Sequence, residues 1–431
     1  MPVHVIVGAQ WGDEGKGRVA DAFAGRADIV ARYNGGDNAG HTIRVGGATF
    51  KLHLVPSGVA QERCVCVLGN GMVINPLTLV EELQGLASRG LDISPDRILI
   101  AETAHLVTPP HRALDAAQEQ KRGRGAIGTT SRGIGPAYTD KAGRSGLRAG
   151  LMHDPDEFAR QARAHIERHN ITLEGLGAEP VDVASTVSAL GEAAAFLAPY
   201  LADTSLYLHN ALAAGRQVLA EGAQGTQLDI DHGGYPFVTS STTTVGGAIS
   251  GLGIGPQHVA RVTGVMKAYT TRVGAGPFPT ELHDEQGDRL RGTGANSWDE
   301  FGTTTGRPRR CGWLDMTLVR YAARINGLTD LAITKLDILS GFEVVQIANA
   351  YRHAGRTLTE LSSDPRVFAE VEPVYQSMRG WAADIMGVRA FEELPEAARE
   401  YVERVEALAG LPVRQVTVGP GREQGFEIVK S

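Results

Sequence analysis

The chain has 431 residues, a formal net charge of −7 at pH 7, a sequence pI of about 6.0 and 42 % hydrophobic residues. This is the composition of an ordinary globular protein, and its acidic balance argues against nonspecific binding to nucleic acid or membrane surfaces. No secretory leader pattern and no apolar run of membrane-spanning length is evident. Together with the acidic charge, this leads us to expect neither a membrane nor a nucleic-acid partner.

The chain has three cysteines, Cys64, Cys66 and Cys311. Their odd number and their lack of metal-site spacing predict a reducing, cytoplasmic location without a disulfide framework. Cys64 and Cys66 alternate with valine, which favours a buried strand over a pair of metal ligands.

Short apolar runs alternate with helical segments along the chain. Predicted strands cover, in chain order, Val3 to Val7, Ile29 to Tyr33, Cys64 to Leu68, Ile98 to Ala101, Val218 to Glu221, Leu331 to Leu339 and Val413 to Val418. Predicted helices cover Leu77 to Ser88, Pro110 to Lys121, Asp156 to His169, an interrupted stretch from Val181 to Ala214, Met316 to Ile325 and Glu393 to Ala409. The alternation predicts an α/β fold with a largely parallel central sheet flanked by helices.

No linker or internal repeat divides the chain, so we predict a single domain over residues 1–431. Three polar, glycine-dense segments interrupt the pattern, at residues 123–146, 221–255 and 292–312. We interpret them as large loop insertions that bind ligands.

The segment that follows the first strand, residues 8–17, reads Gly-Ala-Gln-Trp-Gly-Asp-Glu-Gly-Lys-Gly and leads into a helix. Backbone N–H groups at such a glycine turn cradle phosphates, and Lys16 adds a positive charge. Gly17 stands where the common phosphate loop has a metal-binding hydroxyl, so Asp13 is the candidate metal ligand and proton acceptor. The alternative is a tight strand–helix turn with solvated charges.

A second glycine-rich loop, residues 34–42, follows the predicted strand at Ile29 to Tyr33 and contains Gly40-His41-Thr42. Because neighbouring parallel strands end at the same edge of a sheet, we expect both loops to face one crevice. His41 is a candidate for stabilising a transferring phosphoryl group or for acting as an acid. Taken alone, a histidine of this kind is more often structural, but its position beside the Asp13 loop favours the functional role.

Two further loops carry groups suited to a nucleotide. Residues 128–136 with Arg144 offer hydroxyl, backbone and guanidinium donors for a phosphomonoester, although a solvated basic loop has the same composition. Gln224, in residues 221–226, can both donate to and accept from the edge of a purine, although a neutral turn is the alternative.

The last two motifs are a cationic loop and a strand end. Residues 303–310, with three arginines among their last four residues, predict a dicarboxylate or phosphate ligand rather than a plain surface charge run. In Thr334 to Asp337, the aspartate can accept two N–H bonds from guanine while the stem of Lys335 packs on the base. A strand end satisfied by its own neighbours is the alternative.

Together these motifs resemble the adenylosuccinate synthetase family over essentially the whole chain. The stretches that carry the resemblance are W-G-D-E-G-K-G at 11–17, G-G-x-N-A-G-H-T at 35–42, G-P-F-P-T-E at 276–281, T-T-G-R-P-R-R at 304–310 and T-K-L-D at 334–337. The resemblance implies a P-loop nucleotide-hydrolase-like fold and a homodimer that requires Mg²⁺ and no organic cofactor. The implied reaction is GTP-dependent ligation of IMP and L-aspartate to adenylosuccinate through a 6-phosphoryl-IMP intermediate, the first committed step of AMP synthesis from IMP.

The resemblance also assigns residues. It implies catalytic roles for Asp13, His41 and Lys16, with Asp13 taking the proton from N1 of IMP, and Mg²⁺ bound by Asp13 and the Gly40 carbonyl. GTP contacts are implied at Gly12, Glu14, Gly15, Lys16, Gly17, Gly40, His41, Thr42, Arg309, Lys335, Leu336, Asp337, Thr417, Val418 and Gly419. IMP contacts are implied at Asp13, Asn38, Ala39, Thr130, Arg144, Gln224, Thr239 and Arg307, with Arg144 reaching the partner subunit's site. Aspartate contacts are implied at Thr303, Thr304, Thr305, Gly306, Arg307 and Arg309.

Three positions depart from the family pattern: Asp37 adds a second acid near the phosphates, Ser131 stands where glycine is common, and Gly421 replaces the usual acid after proline. Three other functions are compatible with parts of the pattern. They are a synthetase for another purine monophosphate, a GTP-regulated switch and a filament-type ATPase.

Overall fold

The computed structural model describes residues 3–45, 48–296, 298–302, 306–362 and 364–429. The strands are β1 Val3–Gly8, β2 Ile29–Arg32, β3 His41–Val45, β4 Ala48–Leu52, β5 Val65–Leu68, β6 Val73–Ile74, β7 Ile98–Ala101, β8 His105–Leu106, β9 Leu201–Ala202, β10 Val218–Glu221, β11 Val259–Lys267, β12 Thr270–Arg272, β13 Arg310–Gly312, β14 Leu314–Asp315, β15 Asp330–Thr334, β16 Val344–His353, β17 Arg356–Leu358, β18 Glu372–Arg379, β19 Val413–Thr417 and β20 Gly425–Glu427. The helices are α1 Lys16–Ala24, α2 Pro76–Ala87, α3 Pro109–Arg122, α4 Ile134–Gly143, α5 Pro155–Gly175, α6 Val183–Leu197, α7 Thr204–Ala213, α8 Val245–Leu252, α9 Glu285–Arg291, α10 Met316–Asn326, α11 Pro365–Glu370 and α12 Glu396–Ala409.

A ten-stranded sheet forms the centre of the molecule, in the order β20-β19-β15-β11-β1-β10-β2-β5-β7-β9. Every neighbouring pair is parallel except β19 and β20. The inner strands are buried on both faces, as in β2, β10 and β15, where every residue is buried. This explains why their sequences are largely apolar, since helices cover a parallel sheet on both sides.

The sheet order positions the glycine-rich loops. β10 lies between β1 and β2 and is parallel to both, so the segments that follow these three strands leave the sheet at one edge. The expectation that the loops after β1 and β2 face one crevice is therefore confirmed, but the two strands are not direct neighbours. The segment after β10, which begins at Gly222, lies between the other two loops.

Smaller elements surround the central sheet. β16 pairs in parallel with β14 and in antiparallel with β17 and β18, and the hairpin β3–β4 follows the second glycine-rich loop. The largest apolar core spans the central sheet and extends to α10 and α12. Among the described residues, no helix combines the length and the apolar character needed to cross a membrane.

The predicted fold class, α/β with a mainly parallel sheet, is confirmed, and all seven predicted strands have a counterpart. The prediction of one strand over Leu331 to Leu339 is wrong in length: β15 ends at Thr334, because Lys335 takes a left-handed conformation with φ 57°. The interrupted helical stretch is α6 and α7 with the short strand β9 between them. The central strand β11 was not predicted.

Candidate functional site

A cavity of about 490 Å³ opens at the edge of the sheet where these loops meet. Its lining comes from the first loop and the start of α1, the second loop, residues 127–130 and 237–240, and residues 298–302. Of the predicted site residues, the lining contains Gly12, Asp13, Gly15, Lys16, Gly17, Asn38, Ala39, Gly40, His41, Thr130, Gln224, Thr239, Arg309 and Lys335. Segments far apart in sequence thus form one site.

Asp13 lies in the first loop in a left-handed conformation, with φ 58°. Its side chain is 39 % exposed, and Oδ2 accepts a 2.7 Å hydrogen bond from Nε of Arg309. Removal from water would raise the pKa of this carboxyl, but the positive charges of Arg309, Lys267 and Lys16 outweigh that effect and lower the pKa. Asp13 is therefore ionised and can receive a proton or a cation.

Lys16, the first residue of α1, is buried and lies 2.5 Å from Oε2 of Glu14. The other oxygen of Glu14 accepts from the backbone N–H groups of Gln10 and Gly12, at 3.1 and 2.9 Å. Glu14 therefore stabilises the first loop through its backbone N–H groups and positions Lys16 beside the N-terminus of α1. The N-terminus of a helix favours a bound anion.

His41 lies in the cavity wall and packs against Gly17 at the start of α1. Its Nδ1 hydrogen-bonds to Oε1 of the fully buried Glu221, whose oxygens also accept from Oγ and N of Ser57 at 2.7 and 2.8 Å. A Cβ at Gly17 would lie 2.7 Å from that of His41, so glycine is required for this approach. Burial lowers the pKa of His41 although the Glu221 carboxylate opposes the shift, which favours a neutral ring with its proton on Nδ1.

Beneath the cavity, the carboxylate of Glu300 is fully buried and joins several cations. It accepts from Lys267 at 2.7 Å, Lys335 at 2.6 Å and Arg309 at 2.8 Å, and also from the hydroxyl of Tyr269 at 2.5 Å. Burial would raise the pKa of Glu300, but the three cations outweigh it and place the pKa well below its usual value. We call Glu300, Lys267, Tyr269, Lys335 and Arg309 the Glu300 network.

The strand end at Thr334 to Asp337 faces the loop after β19. The N–H of Lys335 donates to Oγ1 of Thr417 at 3.2 Å, and Arg18 donates to the carbonyls of Gly419 and Gly421. Burial raises the pKa of Asp337 to about 6, and its buried Oδ1 has no hydrogen-bond partner among the described residues. A buried acceptor in this state fits a ligand that brings N–H donors.

A polar group suited to a base or a sugar lies between the second loop and the loop after β10. Oδ1 of Asn38 accepts from the N–H of Gly36 at 3.2 Å and from Nε2 of Gln224 at 3.4 Å. Gln224 lies in the loop after β10 and has a left-handed conformation, with φ 60°. Its side chain reaches Asn38 in the second loop. This arrangement presents both donors and acceptors to the cavity.

Several predicted site residues whose side chains the structure describes do not line the cavity: Glu14, Arg144, Gly306, Arg307, Leu336, Asp337, Thr417, Val418 and Gly419. Leu336 is part of the main apolar core, so its side chain is directed away from any ligand. Arg144 is exposed at the end of α4, with φ 59°. Thr303, Thr304 and Thr305 lie outside the described residues.

The structure shows the surroundings of all three departures from the family pattern. Asp37 is fully buried and accepts from Asn75 at 3.2 Å and Thr78 at 3.3 Å, so it ties the second loop to the start of α2. Ser131 has φ 53°, a conformation that glycine adopts without strain. Gly421 offers its carbonyl to Arg18, a contact that needs no acidic side chain.

The sequence did not single out Arg18, Glu221 as the partner of His41, or Glu300. Arg18 directly follows the Lys16-Gly17 pair, so its position next to the first glycine-rich loop could have indicated a role near the nucleotide. Glu221 ends a predicted strand, but nothing in the sequence pairs it with a histidine 180 positions away. Glu300 is an isolated acid before the arginine loop, and its role depends on three cations from separate segments.

The chain matches the family described as adenylosuccinate synthetase over residues 5–426. It is 50 % identical over 421 residues to the adenylosuccinate synthetase of Desulfosudis oleivorans, covering 97 % of each chain. It is also 50 % identical over 424 residues to that of Trichlorobacter lovleyi, covering 98 % of each.

Two solved structures are similar to the fold. The fully ligated adenylosuccinate synthetase from Plasmodium falciparum has a TM-score of 0.93 at 39 % identity and covers 99 % of this chain and 100 % of its own. The succinoaminodeoxyadenylate synthetase of cyanophage S-2L has a TM-score of 0.63 at 20 % identity and covers 100 % of this chain and 96 % of its own, which shows a shared fold.

Proposed function

The chain belongs to the adenylosuccinate synthetase family, GTP-dependent ligases that join IMP to L-aspartate in AMP synthesis, and we propose how its residues divide that reaction. Family membership over nearly the whole chain decides against a GTP-regulated switch and a filament-type ATPase. The observation that carries the assignment is the Asp13 carboxylate, which is partly exposed in the cavity that the two glycine-rich loops and Gln224 line.

Asp13 is the proton acceptor for N1 of IMP in this proposal. Loss of that proton makes the 6-oxygen nucleophilic toward the γ-phosphoryl group of GTP, and phosphorylation converts the oxygen into a group that the aspartate amine can displace. The bond to Arg309 keeps the pKa of Asp13 low, which weakens it as a base. Arg309 must therefore transfer its hydrogen bond from Asp13 to the substrate aspartate before proton abstraction.

The phosphates of GTP bind at the first loop and the start of α1. The backbone of Gly12 to Gly17 and the ammonium of Lys16 hold them, and Glu14 keeps that lysine in place. His41 donates to the transferring phosphoryl group through its second ring nitrogen. Since Glu221 already holds the proton on Nδ1, this donation requires a second proton, which the phosphate charge favours by raising the pKa of His41.

The oxygen atoms of Asp13 and Gly40 beside the phosphate site are suitable ligands for Mg²⁺. Asp13 supplies a carboxylate oxygen and Gly40 a carbonyl oxygen, both at the cavity wall, and these are the oxygen ligands that Mg²⁺ takes alongside phosphates and water. When bound, the ion would neutralise phosphate charge. No other metal or organic cofactor is proposed for the reaction.

The nucleotide base of GTP binds at the far end, where Asp337 accepts its N–H groups and Lys335 and the segment Thr417 to Gly419 flank it. IMP contacts Asn38, Ala39, Thr130, Gln224, Thr239 and Arg307. The loop from Thr303 to Arg309 binds aspartate, with Gly306 giving its turn a left-handed residue at φ 64°. A cytoplasmic location stays a prediction from the cysteine content.

The exposed position of Arg144, outside the cavity of its own chain, supports its action in the partner subunit of a homodimer. Equal mixing of Asp13→Ala and Arg144→Ala chains tests this. Random reassociation places one intact site in half of the dimers, so about a quarter of the wild-type activity should return. Activity no higher than the sum of the two parents would contradict a shared site.

Asp13→Ala tests the central role. The variant should keep its fold and GTP binding but lose turnover by a factor of about 10²–10⁴, the contribution of general acid–base catalysis. The measurement is phosphate release that depends on IMP, GTP and aspartate together. Asp299→Asn is the matched control, because Asp299 lines the same cavity but bonds to the backbone N–H groups of Gly294 and Asn296. Substantial turnover in Asp13→Ala would refute the role.

A further inference from the structure

Away from the cavity, three histidines and an aspartate meet between α3, α4 and α5. His111, Asp140, His165 and His169 are all buried, and their candidate ligand atoms lie within 4.8 Å of one another. Nothing in the proposed reaction uses them. We call these four residues the histidine cluster.

Oδ2 of Asp140 is the centre of the cluster. It lies 3.1 Å from Nε2 of His111, 2.8 Å from Nε2 of His169 and 3.7 Å from Nδ1 of His165. The second oxygen accepts from Oγ of Ser145 at 2.9 Å, which fixes the direction of the carboxylate. Ligand atoms around a tetrahedral zinc ion, each about 2.0–2.2 Å from the metal, are about 3.3 Å apart, which is close to these separations.

The spacing of the two histidines on α5 adds independent support. His165 and His169 are four residues apart in His-Ile-Glu-Arg-His and therefore lie on one face of the helix. Two histidines at this spacing on a helix form half of a common zinc site, and an acid from another element completes a three-ligand set with one open position.

The hydrogen bonds identify which nitrogens are available. The N–H of Thr108 donates to Nδ1 of His111 at 3.1 Å, so the proton of a neutral His111 is on Nε2 and is donated to Asp140. Because Arg168 donates to Nδ1 of His165 at 3.1 Å, that nitrogen carries a lone pair, and it lies 3.7 Å from Oδ2 of Asp140. The same nitrogen of Arg168 also donates to the carbonyl of Ser145 at 2.9 Å and lies 3.4 Å from Oδ2 of Asp140, and its side chain is 46 % exposed. An incoming metal ion must therefore displace the guanidinium from these partners toward solvent.

From this geometry we propose that His165, His169 and Asp140 bind a divalent transition-metal ion such as Zn²⁺, with His111 orienting Asp140. On binding, the ion replaces Arg168 at Nδ1 of His165, and His169 moves its proton from Nε2 to Nδ1. The ion joins α4 to α5, and α4 carries Thr139 in the cavity wall and ends beside Arg144.

Titration of the full chain with Co²⁺, in the presence of excess Mg²⁺, tests the site. We expect one equivalent of Co²⁺ bound per chain with visible absorption bands of low-coordinate Co²⁺, which Zn²⁺ abolishes by competition. His165→Gln and His169→Gln should each lose at least about tenfold in affinity, since each removes a direct ligand. His209→Gln, an exposed histidine on α7, is the control and should bind like the wild type.

Arg168→Gln provides a test that does not depend on the folding of the buried variants. Removing its charge and its hydrogen bond to His165 should strengthen Co²⁺ binding several-fold. Unchanged or weaker binding would contradict the role of Nδ1 of His165. A wild-type chain that binds no more Co²⁺ than the His165→Gln, His169→Gln double variant would overturn the proposal.

Discussion

The layer beneath the cavity and the nucleotide end beyond it contain carboxylates in opposite states. Glu300 accepts hydrogen bonds from three cations and a tyrosine, whereas Asp337 has a buried oxygen without a partner among the described residues. The pKa of Glu300 lies well below its usual value because the cations outweigh burial, and burial raises that of Asp337 to about 6. The ammonium of Lys335 donates to Glu300 at 2.6 Å and to the carbonyl of Trp298 at 2.8 Å.

The difference indicates that the Glu300 carboxylate has a structural role and that the Asp337 carboxylate is available to bind a ligand. A carboxylate fully satisfied by the protein stabilises the arrangement of its partners and has little left to offer a substrate. A carboxylate with an unsatisfied oxygen gains its partners when a ligand binds. Asp13 is intermediate, since it has one cationic partner and is partly exposed to the cavity.

Glu300→Gln should have the largest effect on stability. Removing one member of a buried charge network leaves the others uncompensated, at a cost of about 3–5 kcal/mol in the free energy of unfolding. Denaturant unfolding measures it, with Glu157→Gln, from an exposed helical pair with Arg160, as a control that changes stability by less than about 0.5 kcal/mol. A loss below about 1 kcal/mol for Glu300→Gln would show that the network is not a structural unit.

The same network predicts a pH dependence with a defined sign. The folded-state pKa of Glu300 is lowered relative to its ordinary value of 4.5. Its contribution is therefore present above pH 4.5 and is lost as the pH falls through the lower folded-state pKa. The stability difference between wild type and Glu300→Gln should shrink on acidification, and a constant difference would contradict this assignment.

Asp337 should have a smaller effect, on nucleotide selection. Only the ionised carboxylate accepts two N–H bonds, so kcat/KM for GTP should fall as the pH drops through about 6, approaching tenfold per pH unit. Asp337→Asn should remove this pH step and lose about 1.5–3 kcal/mol of GTP affinity. It should also improve the use of xanthosine triphosphate, whose base has a carbonyl where guanine has an amino group. If Asp337→Asn left the preference for GTP over xanthosine triphosphate unchanged, Asp337 would not bind the guanine base.

The smallest change in stability should come from Asp13→Asn. Its ion pair with Arg309 is partly exposed, so we expect a change below about 1 kcal/mol in the free energy of unfolding. Turnover should nevertheless be lost, because the amide cannot accept the proton. If stability fell as much as in Glu300→Gln, Asp13 would belong to the structural network, and the distinction between the two carboxylates would fail.

Much of the fold follows from local sequence. Runs such as Val3 to Val7 and Ile29 to Tyr33 are mainly apolar on both faces, and this pattern predicts strands in a covered parallel sheet. β11 was not predicted because Arg261 and Thr263 interrupt its apolar pattern. In the structure both side chains bond to Asp330 on the adjacent strand, Arg261 at 2.8 and 2.9 Å and Thr263 at 2.7 Å. Such compensation across strands is invisible in a single segment.

The candidate site divides in the same way. Asp13, Lys16 and His41 were predicted because their glycine-rich surroundings are local and specific. Glu221 and Glu300 could not be, because their roles arise from pairing with residues far along the chain. The bond between Arg309 and Asp13 joins positions 296 apart and likewise depends on the complete fold.

The role of Asp13 as the proton acceptor can be checked in a crystal structure with IMP, a nonhydrolysable GTP analogue, Mg²⁺ and an unreactive aspartate analogue. We expect the Asp13 carboxylate about 2.6–3.2 Å from N1 of the purine, the reach of a general base, and Arg309 turned to the carboxylate of the aspartate analogue. Asp13 still paired with Arg309 and beyond hydrogen-bond reach of the purine would contradict it.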